Sequence, residues 1–370
     1  MRIPRSDQKT LITPATARII VAFCAICSQS AFFQPIQSVL AVEKTSVNSP
    51  SVDTINSKST KSAADRTAPL DASYLRNYAE TRGFMLGRPS KAVPTPDGKA
   101  VIFLRAQARL PQQSLYIFDV ASGSTRELLT PQQVLKGAQE HLSDEEKARR
   151  ERQRISVGGF TDFQISDDSA LMLVGLSGKL YVVDRATAAI RALDTGADDV
   201  LDPKFSPDGK NVSYVQNNDL YVLDLASGKA RQVTTGGSGI LTHGLAEFVA
   251  QEELSRFTGY WWSPNSQSIV YEESDATGVE VWHLGDPQHP EKAPTSNYYP
   301  RPGKANIKPR LGIISVNGGK TTWIDWDSAA YPYLAEVCWP KNGELTLEVE
   351  NREQKELKLL AVDPSTGKGH

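Results

Sequence analysis

"FSPDGKNVSYVQNNDLYVLDLASGKARQVTT" occupies residues 205–235, and its reading decides the fold class. A Ser-Pro-Asp-Gly turn leads into alternation at Val212 and Tyr214; "LYVLDL", a Ser-Gly-Lys turn and a further strand follow. Alternation bounded by Gly, Pro, Asn and Asp is the mark of antiparallel strands, because side chains point to opposite faces at successive positions. Variants recur at "TPDGKAVIFLRA…SLYIFDVASGSTRELLT", "ISDDSALMLVGLSGKLYVVDRATAAIRAL", "SPNSQSIVYEES" and "WPKNGELTLEVENREQKELKLLAVDPSTGK". Turn starts at 95, 165, 206, 263 and 339 lie 70, 41, 57 and 76 residues apart. The shortest gap is that of one four-stranded propeller blade, and the longer gaps read as blades carrying insertions. The expected fold is therefore all-β, a β-propeller. A β-sandwich is the lesser reading, since sandwiches do not repeat one turn-strand-turn signature.

Two insertions read as helical, and irregular segments on a repetitive scaffold are where function concentrates. The first, "HLSDEEKARRERQRIS" (residues 141–156), opens on a Ser143-x-x-Glu146 capping box and offers i, i+4 pairs Glu145/Arg149, Glu146/Arg150 and Lys147/Glu151. Its plainer reading is a solvated, salt-bridged helix; the functional one is an arm over a cavity or a partner. The second, "GLAEFVAQEELSRFTGYWWSP" (residues 244–264), carries adjacent acids, Glu252 and Glu253. On a helix, Leu245, Phe248 and Val249 form one apolar stripe and Ala250, Leu254 and Phe257 another. From spacing alone Glu252 pairs with Arg256 and Glu253 is solvated. Three chemistries are open to two neighbouring carboxylates. As general acid and base they would flank one bond poorly, because helix neighbours diverge by about 100°. As metal ligands they lack a His or Asp at helical spacing, so no metal site is expected. As a clamp on an ammonium group, whose N–H donors can be divided between them, they need only proximity.

Composition sets the outer limits. The chain has 370 residues, 23% charged, with a net charge of -2, which gives no basic bias toward nucleic acid. Arg2, Arg5, Lys9 and Arg18 precede the apolar run "IIVAFCAI" (residues 19–26), and small residues follow as far as Ala41. That run is too short to span a bilayer, so residues 1–41 read as an export signal and the mature protein as periplasmic or secreted, off the membrane. Cys24 and Cys27 fall inside the signal, so their C-x-x-C spacing is not taken as a redox or zinc site. Cys338, between Val337 and Trp339, reads as buried and inert. Residues 42–70 are rich in Ser, Thr, Lys, Asp and Asn and read as a flexible spacer. The propeller then occupies 71–370.

"HGLAEFVAQEELSRFTGYWWSP", "IVYEES", "VEVWHL" and "YYPRPGKANIKPRLGIISV" resemble the propeller domain of the dipeptidyl peptidase IV family of serine peptidases. "LSDEEKARRERQRISVGGF" is similar to the eight and nine branch of that family and its bacterial relatives. The resemblance runs from about Pro89 to the C-terminus. It implies an eight-bladed propeller whose paired glutamates, here Glu252 and Glu253, bind the free α-amino group of a peptide substrate. A peptide so held exposes only the bond after its second residue, usually proline or alanine, to a Ser-His-Asp triad on an α/β-hydrolase domain. The resemblance also implies no cofactor, and a homodimer for the full-length family. In that branch an early arginine of the inserted helix helps hold substrate, whereas here that turn reads Asp144-Glu145-Glu146. Arg105 and Arg109 are the candidates for the carbonyl-binding arginine.

No G-x-S-x-G occurs; Gly175-Leu-Ser177-Gly-Lys and Gly236-Gly-Ser238-Gly-Ile lack the final glycine. The sequence reading therefore expects no catalytic residue in this chain, a missing C-terminal α/β-hydrolase domain and an incomplete propeller, inactive alone. The alternative expectation is a stand-alone, non-catalytic propeller that binds peptides or proteins.

Overall fold

Strands this short satisfy their backbone groups only by pairing with neighbours, and here they pair in sequence order. The computed structural model describes residues 72–369. The expected export signal and spacer lie outside the described residues. Backbone proximity separates Met1–Met85 from Leu86–His370. In the first unit, helix α1 (Ala72–Glu80) has no buried residue, and Tyr74, Tyr78 and Phe84 gather with ring centroids 5.8 to 6.3 Å apart.

The second unit is a β-propeller. Its first sheet is antiparallel in the order β1 (Pro89–Pro94), β2 (Ala100–Gln107), β3 (Leu110–Asp119), β4 (Thr125–Leu129). Helices α2 (Pro131–Leu135) and α3 (Asp144–Arg152) follow, and the short β5 (Gly158–Gly159) adds to β3 in parallel. The second sheet is β6 (Phe163–Ile165), β7 (Leu171–Leu176), β8 (Lys179–Asp184), β9 (Ile190–Ala192). The third is β10 (Leu201–Phe205), β11 (Asn211–Gln216), β12 (Asp219–Asp224), β13 (Ala230–Gln232), the stretch on which the fold was read. The fourth departs from this plan: β14 (Leu241–His243), helix α4 (Phe248–Glu252) and β15 (Tyr260–Trp262) precede β16 (Ser268–Asp275). A separate hairpin, β17 (Val281–Leu284) with β18 (Thr295–Tyr298), comes before β19 (Lys308–Ser315) and β20 (Thr322–Trp323). Both β14 and β15 pair with β16. The fifth sheet is β21 (Tyr333–Cys338), β22 (Leu345–Glu350), β23 (Leu357–Val362). Cys338 is half-buried there rather than buried.

Strand alternation places the core between sheets. On β7, Met172 and Val174 pack toward the first sheet, with Ile102, Leu104 and Leu115, while Leu173 packs toward the third, with Val212, Tyr214 and Leu223. The same division recurs on β16, where Ile269 and Tyr271 join Val215 and Leu220 of the third sheet and Val270 joins Leu334, Val337 and Leu347 of the fifth. A one-residue slip would exchange the two faces of every strand, so the register is fixed by both neighbours.

The turns between first and second strands share one construction. The hydroxyls of Ser166, Ser206 and Ser263 donate to Asp168, Asp208 and Asn265 at 2.6 to 2.7 Å, and Thr95 donates likewise to Asp97. Such Asx and Ser/Thr bonds hold a tight turn without further partners. Adjacent turns are also tied: Asp97 N donates to Ser169 Oγ and Asp208 N to Ser266 Oγ, each at 3.0 Å. These turns therefore share one rim of the propeller.

Candidate functional site

In the fourth sheet the first strand is interrupted by residues 244–259, which leave and rejoin the sheet at a single partner. Gly244 N donates to Glu272 O at 2.8 Å and Glu272 N donates to Gly259 O at 2.7 Å. The two limbs cross closely: a Cβ on Gly259 would lie 2.3 Å from Leu245 C and 2.6 Å from Leu245 N. Backbone cannot yield as a side-chain tip can. Gly259→Ala is accordingly expected to cost about 1–3 kcal/mol, read as a lower urea midpoint; an unchanged midpoint would show that the limbs do not touch.

The side chain of Glu272, fully buried, joins the limbs a second time. Its Oε1 accepts from Glu247 N at 3.0 Å and Ser274 Oγ at 2.7 Å, while Oε2 accepts from Arg256 Nη1 at 2.6 Å. Arg256 is itself buried, donates also to Thr258 O at 2.8 Å, and reaches Leu334 O of β21 through Nε and Nη2. The Glu252/Arg256 pair expected from helical spacing does not form. Helix α4 covers only Phe248–Glu252, Glu253 caps it, and Ser255 takes a left-handed φ of 56° that ends the helical path before Arg256. The longer helix with two apolar stripes is thus corrected to five residues.

The two acids end up where the chain turns back. Both are exposed, and among the described residues the Glu253 carboxylate has no ion-pair partner. Glu252 Oε1 has a loose one, Arg152 Nε of α3, at 3.9 Å. Arg152 also donates to Gln251 Oε1 at 3.4 Å and lies over the Phe248 ring, 5.7 Å from its centroid. Burial lowers its pKa from the ordinary guanidinium value. The two helical insertions, about a hundred residues apart in sequence, therefore meet at Glu252. Neither Arg105 nor Arg109 is the arginine brought there. Arg105 donates to Gly87 O at 2.7 Å on the first sheet, and Arg109 is exposed at the turn after β2.

The arm carrying Arg152 is not simply solvated. Ser143 accepts from Glu146 N at 3.2 Å, but the Glu146 side chain turns to Arg150 instead of back to the cap, so only half of the expected box forms. Of the three expected i, i+4 pairs, Glu146 with Arg150 is present at 2.8 Å. Arg150 is buried between Glu146 and Glu140, the latter at 2.9 Å, and Glu140 also accepts from Gly159 N. Arg149, one turn before Arg152, reaches Asp202 of β10 at 3.7 Å. Beneath α3 lies a small cavity of about 80 Å³, lined among others by Arg149, Phe163, Gln164, Leu176, Asp199 and Asp202. Glu252 and Glu253 are not part of that lining. The arm-over-a-cavity reading thus fits the structure better than the solvated helix.

Residues 167–370, over half of the chain, match the family model of the dipeptidyl peptidase IV N-terminal region. The chain belongs to the dipeptidyl peptidase IV family. Mouse dipeptidyl peptidase 8 is similar at 24% identity over 261 residues, covering 60% of this chain and 29% of that protein. A probable dipeptidyl-aminopeptidase B of Penicillium rubens is similar at 26% over 210 residues, covering 52% and 23% respectively. The chain thus spans less than a third of the length of these curated relatives. Among solved structures, Porphyromonas gingivalis dipeptidyl peptidase 4 matches with a TM-score of 0.60 at 20% identity, over 78% of this chain and 40% of that one. At that identity the likeness to this dipeptidyl peptidase carries the fold alone.

Proposed function

We propose that this chain is the substrate-gating propeller of an exported, periplasmic or secreted serine dipeptidyl peptidase, in which Glu252 and Glu253 hold the free α-ammonium of a peptide. One observation supports this above the rest. The excursion that presents the two acids is braced by other residues, Glu247, Arg256 and Glu272, which leaves the Glu252 and Glu253 carboxylates exposed and available to a ligand. An ammonium divides its donors between two acceptors, and each charge-assisted bond is short and strong. Arg152 beside Glu252 supplies N–H donors to the first peptide carbonyl, the role the sequence had offered to Arg105 or Arg109. Holding the terminus fixes the distance along the peptide, so the bond after the second residue, X-Pro or X-Ala, is the one presented for cleavage. Acyl transfer there falls to a Ser-His-Asp triad outside these 370 residues.

The test compares one Ala-Pro peptide with a free and an acetylated N-terminus, titrated calorimetrically into the chain. Acetylation removes the positive charge and two of three donors, and is expected to weaken binding at least about tenfold. Equal affinities for the two forms would overturn the ammonium clamp.

A further inference from the structure

Glu247 sits five residues before Glu252 and belongs to neither carboxylate of the clamp, yet its geometry is more constrained than theirs. It is buried, and both of its oxygens accept backbone donors of α4: Oε2 from Val249 N and Oε1 from Ala250 N, each at 2.7 Å. Those are two of the otherwise orphaned N–H groups of the first turn, and an ionised acceptor binds them more strongly than a neutral one. A five-residue helix has little else to hold it. Glu247 N in turn donates to Glu272. The groups facing this pocket are Glu272 of β16, fully buried; Arg256 of the returning limb; and, beyond Arg256, Glu336 of β21, whose pKa burial raises. Glu252 and Glu253 follow at the far end of the same turn. Two buried carboxylates therefore share one guanidinium, and Arg256 bonds Glu272, not Glu247.

We infer that Glu247 is a positioning residue for the ammonium clamp: its ionised carboxylate holds the turn that presents Glu252 and Glu253, and taking up a proton loosens that turn. This rests on the clamp reading above. The acidity of the group puts the change near neutrality, because burial, and then the Glu272 charge, push its pKa up to about 7 from 4.5. Linkage gives the sign for stability. Between pH 4.5 and about 7 the folded chain holds a proton that the unfolded chain has lost, so global stability falls as pH rises through that window and levels off above it. The cap tightens over the same interval. Tightening of one turn against a falling global stability is a combination that simple acid unfolding does not produce.

The experiment measures the affinity of the free-terminus Ala-Pro peptide from pH 5.5 to 8.5, corrected for the peptide's own amine. Binding is expected to be about tenfold weaker at pH 6 than at pH 8, the ratio of ionised fractions for one group titrating near 7. Glu247→Gln should abolish that acid limb, and Glu272→Gln, which removes the neighbouring charge, should move it to lower pH. A weaker affinity with the limb unmoved in both variants would make Glu247 merely structural and overturn the proposal. Hydrogen exchange at the Val249 and Ala250 amides, without peptide, separates this from failure of the clamp. Protection that rises with pH across 7, relative to intrinsic rates, supports the Glu247 switch even if free and acetylated peptides bind alike. Protection that is flat across that range overturns it, even if the clamp is real.

Discussion

Glu253→Gln is expected to weaken binding of a free-terminus peptide about ten- to a hundredfold, and Glu252→Gln to do the same, with little change in folding. A charge-assisted hydrogen bond is worth about 1.5–3 kcal/mol, which converts to that range. Glutamine keeps an acceptor oxygen and nearly the same shape, so the variants isolate charge. Folding should be indifferent because both residues are exposed and the excursion is braced elsewhere. Glu253 should lose the more of the two, since Glu252 is already partly satisfied by Arg152 at 3.9 Å. Calorimetry with the same peptide decides it. If each variant binds the free peptide as tightly as the unmodified chain, the two acids are ordinary surface residues.

Glu272→Ala should do the reverse, costing about 3–5 kcal/mol of stability. It strands Arg256, buried at 3% exposure, without its counter-charge and leaves Glu247 N and Ser274 Oγ without an acceptor. The cost is one of an uncompensated charge, not of a lost attraction. Replacing both partners, Glu272→Leu with Arg256→Met, should therefore recover much of the loss, as buried pairs exchanged for apolar groups often do. Urea denaturation of the single and double variants tests this. A single variant that loses less than about 1 kcal/mol would mean that water reaches Arg256.

The sequence and the structure agree where information is local. All five turns fall between the first and second strands of a sheet, and in four of them a hydroxyl two residues before an Asp or Asn specifies the turn; the fifth, Trp339-Pro-Lys-Asn-Gly, has no such hydroxyl. The signal is less complete for caps. Thr130-x-x-Gln133 forms a reciprocal box on α2, while Ser143-x-x-Glu146 forms half of one because Arg150 competes for the Glu146 side chain. Periodicity failed at Arg256, where four-residue spacing named Glu252 as partner. The real partner, Glu272, is sixteen residues away on a strand that had first to be folded against it. Arg152 was invisible for the same reason: nothing near residue 152 in sequence points to residue 252. Adjacent acids were legible as a feature, but what freed them for a ligand was a tertiary arrangement of other charges.

An even number of strands has a further consequence for how such a chain can change. With four antiparallel strands, as in the second and third sheets, the chain leaves each blade at the end by which it entered. Hydroxyl-to-turn bonds tie neighbouring blades together at the opposite end, where a lengthened turn would meet its neighbour. The arm at residues 130–162 joins two blades, and residues 276–307 join the second and third long strands of the fourth. By the parity of the strands, both additions fall at the other end, where Asp219 of β12 also meets His243 of β14 at 2.6 Å. Connections at that end can be lengthened, shortened or recharged without reopening a ladder, so new specificities can accumulate there while the turns opposite keep the blades in step.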